Sequence, residues 1–367
     1  MNSLSLHLRF SWRRYPCYYR PMILTVTALV LMGGFWSATR YPQLLAKAEH
    51  VGQPLPSMAY SSEVLHVTES APVWQRILAG AANWLDSMAL GMTFGVLFGA
   101  LLHTILRYYP LNIGRNLYLN SLKGALVGVP MGVCANCAVP AACGVTRGHG
   151  RIEVALGFLF SSPNFNPVVV MMTFMALPWT MSVTKYVLLL LVILIVAPAL
   201  IAWLERGKPF DVFTADEEGA CAIPLASTDC TEPFWAVAQE LALDYAKNAR
   251  MLVKPTLAIM LPASVLAAAM LTLIPWTTLL AEVTPARLAL VGLVAVAMPV
   301  PIALDVMFAA QLQQQGLPSG YVMLFAITLG TYSIIPSLYL WREVSKLLAI
   351  ILFLLFWTLG WITGLLF

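Results

Sequence analysis

Residues 124–167 read GALVGVPMGVCANCAVPAACGVTRGHGRIEVALGFLFSSPNFNP. The first apolar segment carries Pro130, Cys134, Asn136, Cys137 and Pro140, and the second carries Ser161, Ser162, Pro163, Asn164, Asn166 and Pro167. Helix breakers, thiols and amides are costly in hydrocarbon unless they line something. Backbone that leaves the helix at membrane depth is tolerated only where it is packed in protein or borders a water-filled cavity. Interrupted apolar segments are also the best sequence pointer to a carrier's binding site. The stretch therefore predicts a substrate site inside a membrane protein.

The rest of the chain agrees. Of its 367 residues, 60% are hydrophobic and 10% charged, with a mean hydropathy of +0.79, against about 25% charged in soluble domains. Apolar stretches near the ~20 residues that cross a bilayer run at 22–38, 84–106, 183–203, 256–275, 320–340 and 347–366, and interrupted ones at 124–146, 152–178 and 287–313. The first follows Arg9, Arg13, Arg14 and Arg20 and reads as a retained signal anchor. The net charge of +4 is scattered between spans, which is no nucleic-acid footprint.

The basic residues report orientation instead. If 124–146 and 287–313 enter and return on the same side, 16 Lys and Arg fall on the N-terminal side and five (Arg40, Lys47, Arg76, Lys185, Arg287) on the other. That asymmetry favours a cytoplasmic N-terminus. The expected fold is an all-α polytopic membrane protein with seven spans and two re-entrant hairpins, the alternative being nine spans. It divides into an N-terminal segment and anchor (1–38), a periplasmic loop (39–83), a first transmembrane repeat (84–204), a cytoplasmic linker (205–255) and a second repeat (256–367). Both repeats run span, hairpin, broken span, span, in opposite orientations. Ala125-Leu126-Val127-Gly128 recurs as Ala289-Leu290-Val291-Gly292. Inverted repeats with discontinuous helices are a common carrier plan.

In the linker, Phe234, Val237, Leu241, Tyr245 and Leu252 recur at near-helical spacing, predicting an interfacial amphipathic helix over 233–254. Gly91, Gly95 and Gly99 form a smooth stripe for close helix packing.

Cys134 and Cys137, three residues apart, can converge on one soft ion or electrophile. They are the expected metal contacts. A structural zinc site would need a second ligand pair, which is missing. A thiol–disulfide relay is the alternative from another functional class. Asn136, Asn164, Asn166 and Ser162 supply amides and a hydroxyl within apolar sequence, and Thr331 and Ser333, before Pro336, would complete the site from the other half. Asp305 is the intramembrane carboxylate, a functional hypothesis by default, and is expected to couple transport to protons. No phosphate loop, His-Glu-x-x-His or hydrolase motif is present, so the reading is a carrier without a cofactor and not an enzyme.

Lys123-Gly124-Ala125-Leu126-Val127-Gly128-Val129-Pro130, the cysteine turn ending in Val139-Pro140, and Gly157 to Pro163 running into Asn166-Pro167 resemble the ArsP-type predicted permeases, found mainly in bacterial inner membranes. The resemblance covers most of residues 84–366. It implies efflux of trivalent organoarsenicals, with Cys134 and Cys137 as thiolate contacts. The cysteine step departs from the form associated with that family, in which one residue separates the cysteines and a glycine follows. The combined expectation is a multi-pass inner-membrane permease exporting a soft, thiol-reactive solute such as a metalloid compound or metal ion. Its partners are a small substrate and the lipid bilayer, with a homo-oligomer possible.

Overall fold

A computed structural model describes residues 18–49, 64–65, 71–109, 114, 116–147, 151–204, 233–274 and 276–367. The acidic part of the linker, with Cys221 and Cys230, and most of the outer loop lie outside the described residues. Every regular element among the described residues is a helix. In chain order they are α1 (Tyr19–Phe35), α2 (Tyr41–Glu49), α3 (Val73–Tyr108), α4 (Leu117–Gly128), α5 (Ala135–Arg147), α6 (Ile152–Asn164), α7 (Pro167–Ala176), α8 (Trp179–Leu191), α9 (Ala197–Leu204), α10 (Phe234–Leu273), α11 (Trp276–Leu279), α12 (Pro285–Ala297), α13 (Leu304–Gln314), α14 (Ser319–Thr328), α15 (Ile334–Glu343) and α16 (Lys346–Leu366).

Five uninterrupted stretches are long and apolar enough to cross a membrane: Tyr19–Ala46, α3, Trp179–Leu204, α10 and α16. A sixth is added if α6 and α7, bent by 49° at their junction, count as one. This is a multi-pass membrane protein. The expected stretch at 320–340 is divided, because α14 stops at Thr328 and α15 begins only at Ile334.

Where the helices stop is written in side chains. Asn166, Thr284, Ser333 and Ser345 each accept a backbone N–H of the first turn of the helix that follows, which satisfies donors that the helix itself leaves unpaired. Pro167 and Pro285 occupy the first turns of α7 and α12, where a missing N–H costs nothing.

The amphipathic stretch of the linker and the span after it are one helix, α10, which runs through Pro255 and Pro262. At 40 residues it is about 60 Å long, twice the ~30 Å hydrocarbon core. One face of its first part packs on protein. Asp244 takes an ion pair from Arg107 at 2.8 Å and a hydrogen bond from Tyr108 at 2.6 Å, Asn248 donates to Thr104 Oγ1 at 2.8 Å, and Arg20 pairs with Glu240 at 2.8 Å. α3 likewise extends back to Val73 beyond the expected start at 84.

The glycine stripe of α3 does what its spacing predicts. A Cβ at Gly91 would meet Cys137 Sγ at 2.9 Å, and at Gly95 and Gly99 it would run into the carbonyls of Cys137 and Pro140. The backbone of α5 lies directly on that stripe, which close van der Waals packing between membrane helices requires.

Candidate functional site

Four breaks in the helices meet inside the molecule. The first, 129–134, separates α4 from α5, and the second, 298–303, separates α12 from α13. The third, Phe165 and Asn166, lies between α6 and α7, and the fourth, 329–333, between α14 and α15. Three contain a residue with positive φ: Gly132 (59°), Ala303 (63°) and Gly330 (77°). In the first two breaks an indole from outside the break takes a proline carbonyl. Trp36 Nε1 donates to Pro130 O at 2.5 Å, and Trp84 Nε1 to Pro299 O at 2.8 Å. Each indole satisfies a carbonyl that the broken helix has orphaned.

The breaks are stitched together by the residues singled out in the sequence. Asn136, second residue of α5, donates through Nδ2 to Val300 O in the second break at 3.1 Å and accepts from Ser333 Oγ in the fourth at 2.6 Å. Asn164 accepts from Thr331 Oγ1 at 3.2 Å and donates to Phe160 O at 3.0 Å. Ser162 lies 3.4 Å from both the N–H and the carbonyl of Val133. Asn166 caps α7 through Oδ1, while its Nδ2 is buried and has no partner among the described residues. That amide nitrogen would lie 2.8 Å from a Cβ at Gly132, so it faces the first break. Cys134, Asn136, Cys137, Ser162, Asn164, Asn166, Asp305, Thr331 and Ser333 are all buried.

Cys134 stands just before α5 and Cys137 in its first turn, with Cα atoms 5.1 Å apart, and the structure joins them as a disulfide. Cys143 stays outside it and is buried. Met88 of α3 adds a third sulfur, its Sδ lying 3.6 Å from Cys134 Sγ and 3.9 Å from Cys137 Sγ. Sequence reasoning passed over Met88, although it lies three residues before Gly91 and so shares the face that packs on α5. The Arg40 side chain also abuts Gly91, with Nη2 3.1 Å from the position of a Cβ there. Among the described residues no group of three or more His, Cys, Asp or Glu could hold a metal ion. The Cys134, Cys137 and Met88 sulfurs form a group of soft donors beside the first break.

Asp305, second residue of α13, has a partner that the sequence did not announce. Lys185 Nζ of α8 lies 2.6 Å from Asp305 Oδ2, with both side chains buried. Lys185, which the orientation tally set on the outer side, lies within the apolar stretch Trp179–Leu204, as the expected stretch 183–203 has it.

The family model ArsP_1, described as predicted permease, matches residues 104–367. It takes in all four breaks, both cysteines, Lys185 and Asp305, and leaves Met88 and Arg40 outside. The UPF0718 protein YraQ of Escherichia coli (strain K12) is 24% identical over 180 residues, which are 48% of this chain and 51% of the relative. The chain thus spans about half the length of the curated relative it matches. No solved structure matches the chain.

Proposed function

Because the chain belongs to the predicted permease family matched over residues 104–367, we propose that it is a secondary carrier of the bacterial inner membrane, exporting a soft, thiol-reactive solute through a site built at the four breaks. The observation that carries this reading is the grouping of Cys134, Cys137 and Met88 sulfurs within 3.9 Å of Met88 Sδ, buried beside interrupted backbone. Thiolate and thioether donors select soft ions and metalloids. With the disulfide reduced by a cellular dithiol, which gives two electrons and two protons to the cysteines and itself becomes a disulfide, a trivalent organoarsenical bearing two hydroxyls exchanges them for the two cysteine sulfurs. Two arsenic–sulfur bonds form and two waters leave, with Met88 as a further soft neighbour. The unpartnered Asn166 amide offers a donor to an oxygen on the cargo.

The order of elements supports the inverted-repeat plan. Span α3, broken pair α4 and α5, broken pair α6 and α7, and span α8 with α9 are followed by span α10, broken pairs α12 with α13 and α14 with α15, and span α16. In this reading α4 with α5 and α12 with α13 are re-entrant hairpins, and the N-terminus is cytoplasmic. The thiol–disulfide relay finds no support in the family, which is one of permeases.

Uptake of phenylarsine oxide, arsenite and soft metal ions into everted membrane vesicles tests the proposal. Accumulation under reducing conditions that is lost in Cys134→Ser/Cys137→Ser and weakened in Met88→Leu is the expected result. Accumulation unaffected by removing both cysteines would overturn the sulfur site.

A further inference from the structure

α8 belongs to the apolar stretch Trp179–Leu204, yet Lys185 lies within that stretch, 0% exposed. Its ammonium meets the Asp305 carboxylate at 2.6 Å. Neither group makes a second ion pair among the described residues. The carboxylate is also enclosed by backbone of unusual conformation. It follows Ala303, a non-glycine residue at φ 63°, and a Cβ at Gly330, itself at φ 77°, would lie 3.0 Å from Asp305 Cγ. The fourth break is thus shaped around this carboxylate. The pair also bridges the two proposed halves, α8 belonging to the first and α13 to the second.

A buried ion pair is a poor means of holding helices together, because well-packed apolar side chains of similar volume are often as stable or more so. What it offers instead is dependence on protonation. Once the carboxylate is neutral, the attraction across the halves is gone; while both are charged, pulling them apart strands two charges in a medium that solvates them badly. The other ionisable side chains on the elements around the pair are tyrosines. Tyr186 of α8 has its ring 5.9 Å from Lys185 Nζ and its hydroxyl bonded with Thr173, Tyr321 of α14 donates to Leu279 O and Glu282 O, and Tyr332 stands in the fourth break. α7, α13 and the second break contribute no further ionisable group.

We infer that Lys185 and Asp305 form a proton-exchange site: a proton binding at Asp305 Oδ2 dissolves the pair, and its loss re-forms it, so that parting of α8 from α13 is tied to proton movement. The carboxylate becomes a neutral carboxyl, the pair goes from zero net charge to one positive charge, and no electrons move. Lys185 exchanges its counter-ion for water in the parted state. The consequence for transport rests on the carrier reading above, whereas the site itself can be tested without cargo.

The test is infrared difference spectroscopy of the purified full-length protein in lipid bilayers during stepwise acidification. A protonated-carboxyl stretch should appear on acidification, be absent in Asp305→Asn, stop responding to pH in Lys185→Met, and survive in Lys185→Arg. Because single substitutions strand a buried charge, Lys185→Met/Asp305→Leu serves as the folded control. It should insert and unfold like the wild type yet show no band, and everted vesicles carrying it should lose the part of phenylarsine oxide uptake that an imposed pH gradient drives. A band that persists in Asp305→Asn or in the double variant, or no band in the wild type, would overturn the assignment. Wild-type vesicles that take up no phenylarsine oxide would count against the cargo reading alone, since the infrared result decides the pair independently.

Discussion

The first and second breaks are built alike and equipped differently. Each follows an apolar helix, each contains a left-handed residue, Gly132 or Ala303, and each has a proline carbonyl taken by a tryptophan indole. In each, the second residue of the following helix reaches across the molecule: Asn136 to Val300 and Ser333, Asp305 to Lys185. Yet the first carries two cysteines beside a methionine, and the second carries a carboxylate with an ammonium. Two breaks of like build thus present soft, neutral donors in one place and a buried ion pair in the other. In the proposed carrier the first break holds cargo and the second answers to protons.

The comparison can be broken or sharpened by substitution. The largest effect belongs to the charged break. Asp305→Asn or Lys185→Met alone leaves one buried charge unpaired and should destabilise the protein by about 3–5 kcal/mol, whereas Lys185→Met/Asp305→Leu should recover most of that loss. Thermal unfolding in detergent checks both. In the first break, Asn136→Leu strands the Val300 carbonyl and takes the acceptor from Ser333, at about 1–3 kcal/mol for each buried group left unsatisfied, read by the same assay.

The left-handed residues should respond in opposite directions. Gly132→Ala adds a Cβ 2.7 Å from the Trp36 ring at a φ of 59°, so it should cost about 1–2 kcal/mol from backbone conformation alone and more from the contact. Ala303→Gly relieves a non-glycine residue at φ 63° and should leave unfolding temperature unchanged or raise it. The indoles differ from each other: Trp84→Phe strands the buried Pro299 carbonyl, at about 1–3 kcal/mol, and Trp36→Phe, the smallest effect, removes a more exposed hydrogen bond worth about 0.5–1.5 kcal/mol. Trp84 should show the greater loss, because it is fully buried and Trp36 is not.

Much of this architecture was legible in the sequence because prolines, amides and thiols are conspicuous in hydrocarbon. Pro130, Asn136, Asn164 and Thr331 announce themselves against an apolar background, and the structure brings all of them to the breaks. The partners stayed hidden for equally physical reasons. Lys185 is 120 positions from Asp305 and near the start of a span, where a lysine ordinarily reaches the interface. Met88 is one methionine of 17, and nothing marks it except its place on the glycine face of α3. The continuity of α10 defied its two prolines, because at such positions neighbouring helices can satisfy the carbonyls that proline frees. Trp36 and Trp84 gain a role only when the orphaned proline carbonyls they serve are in view.

The division of labour between the two breaks is tested most directly by equilibrium binding of phenylarsine oxide to the purified, reduced protein in lipid, compared across variants. The account predicts that Cys134→Ser/Cys137→Ser abolishes binding while Lys185→Met/Asp305→Leu, though unable to use a pH gradient, binds as the wild type does. Binding that survives loss of both cysteines, or that disappears with the charged pair, would contradict it.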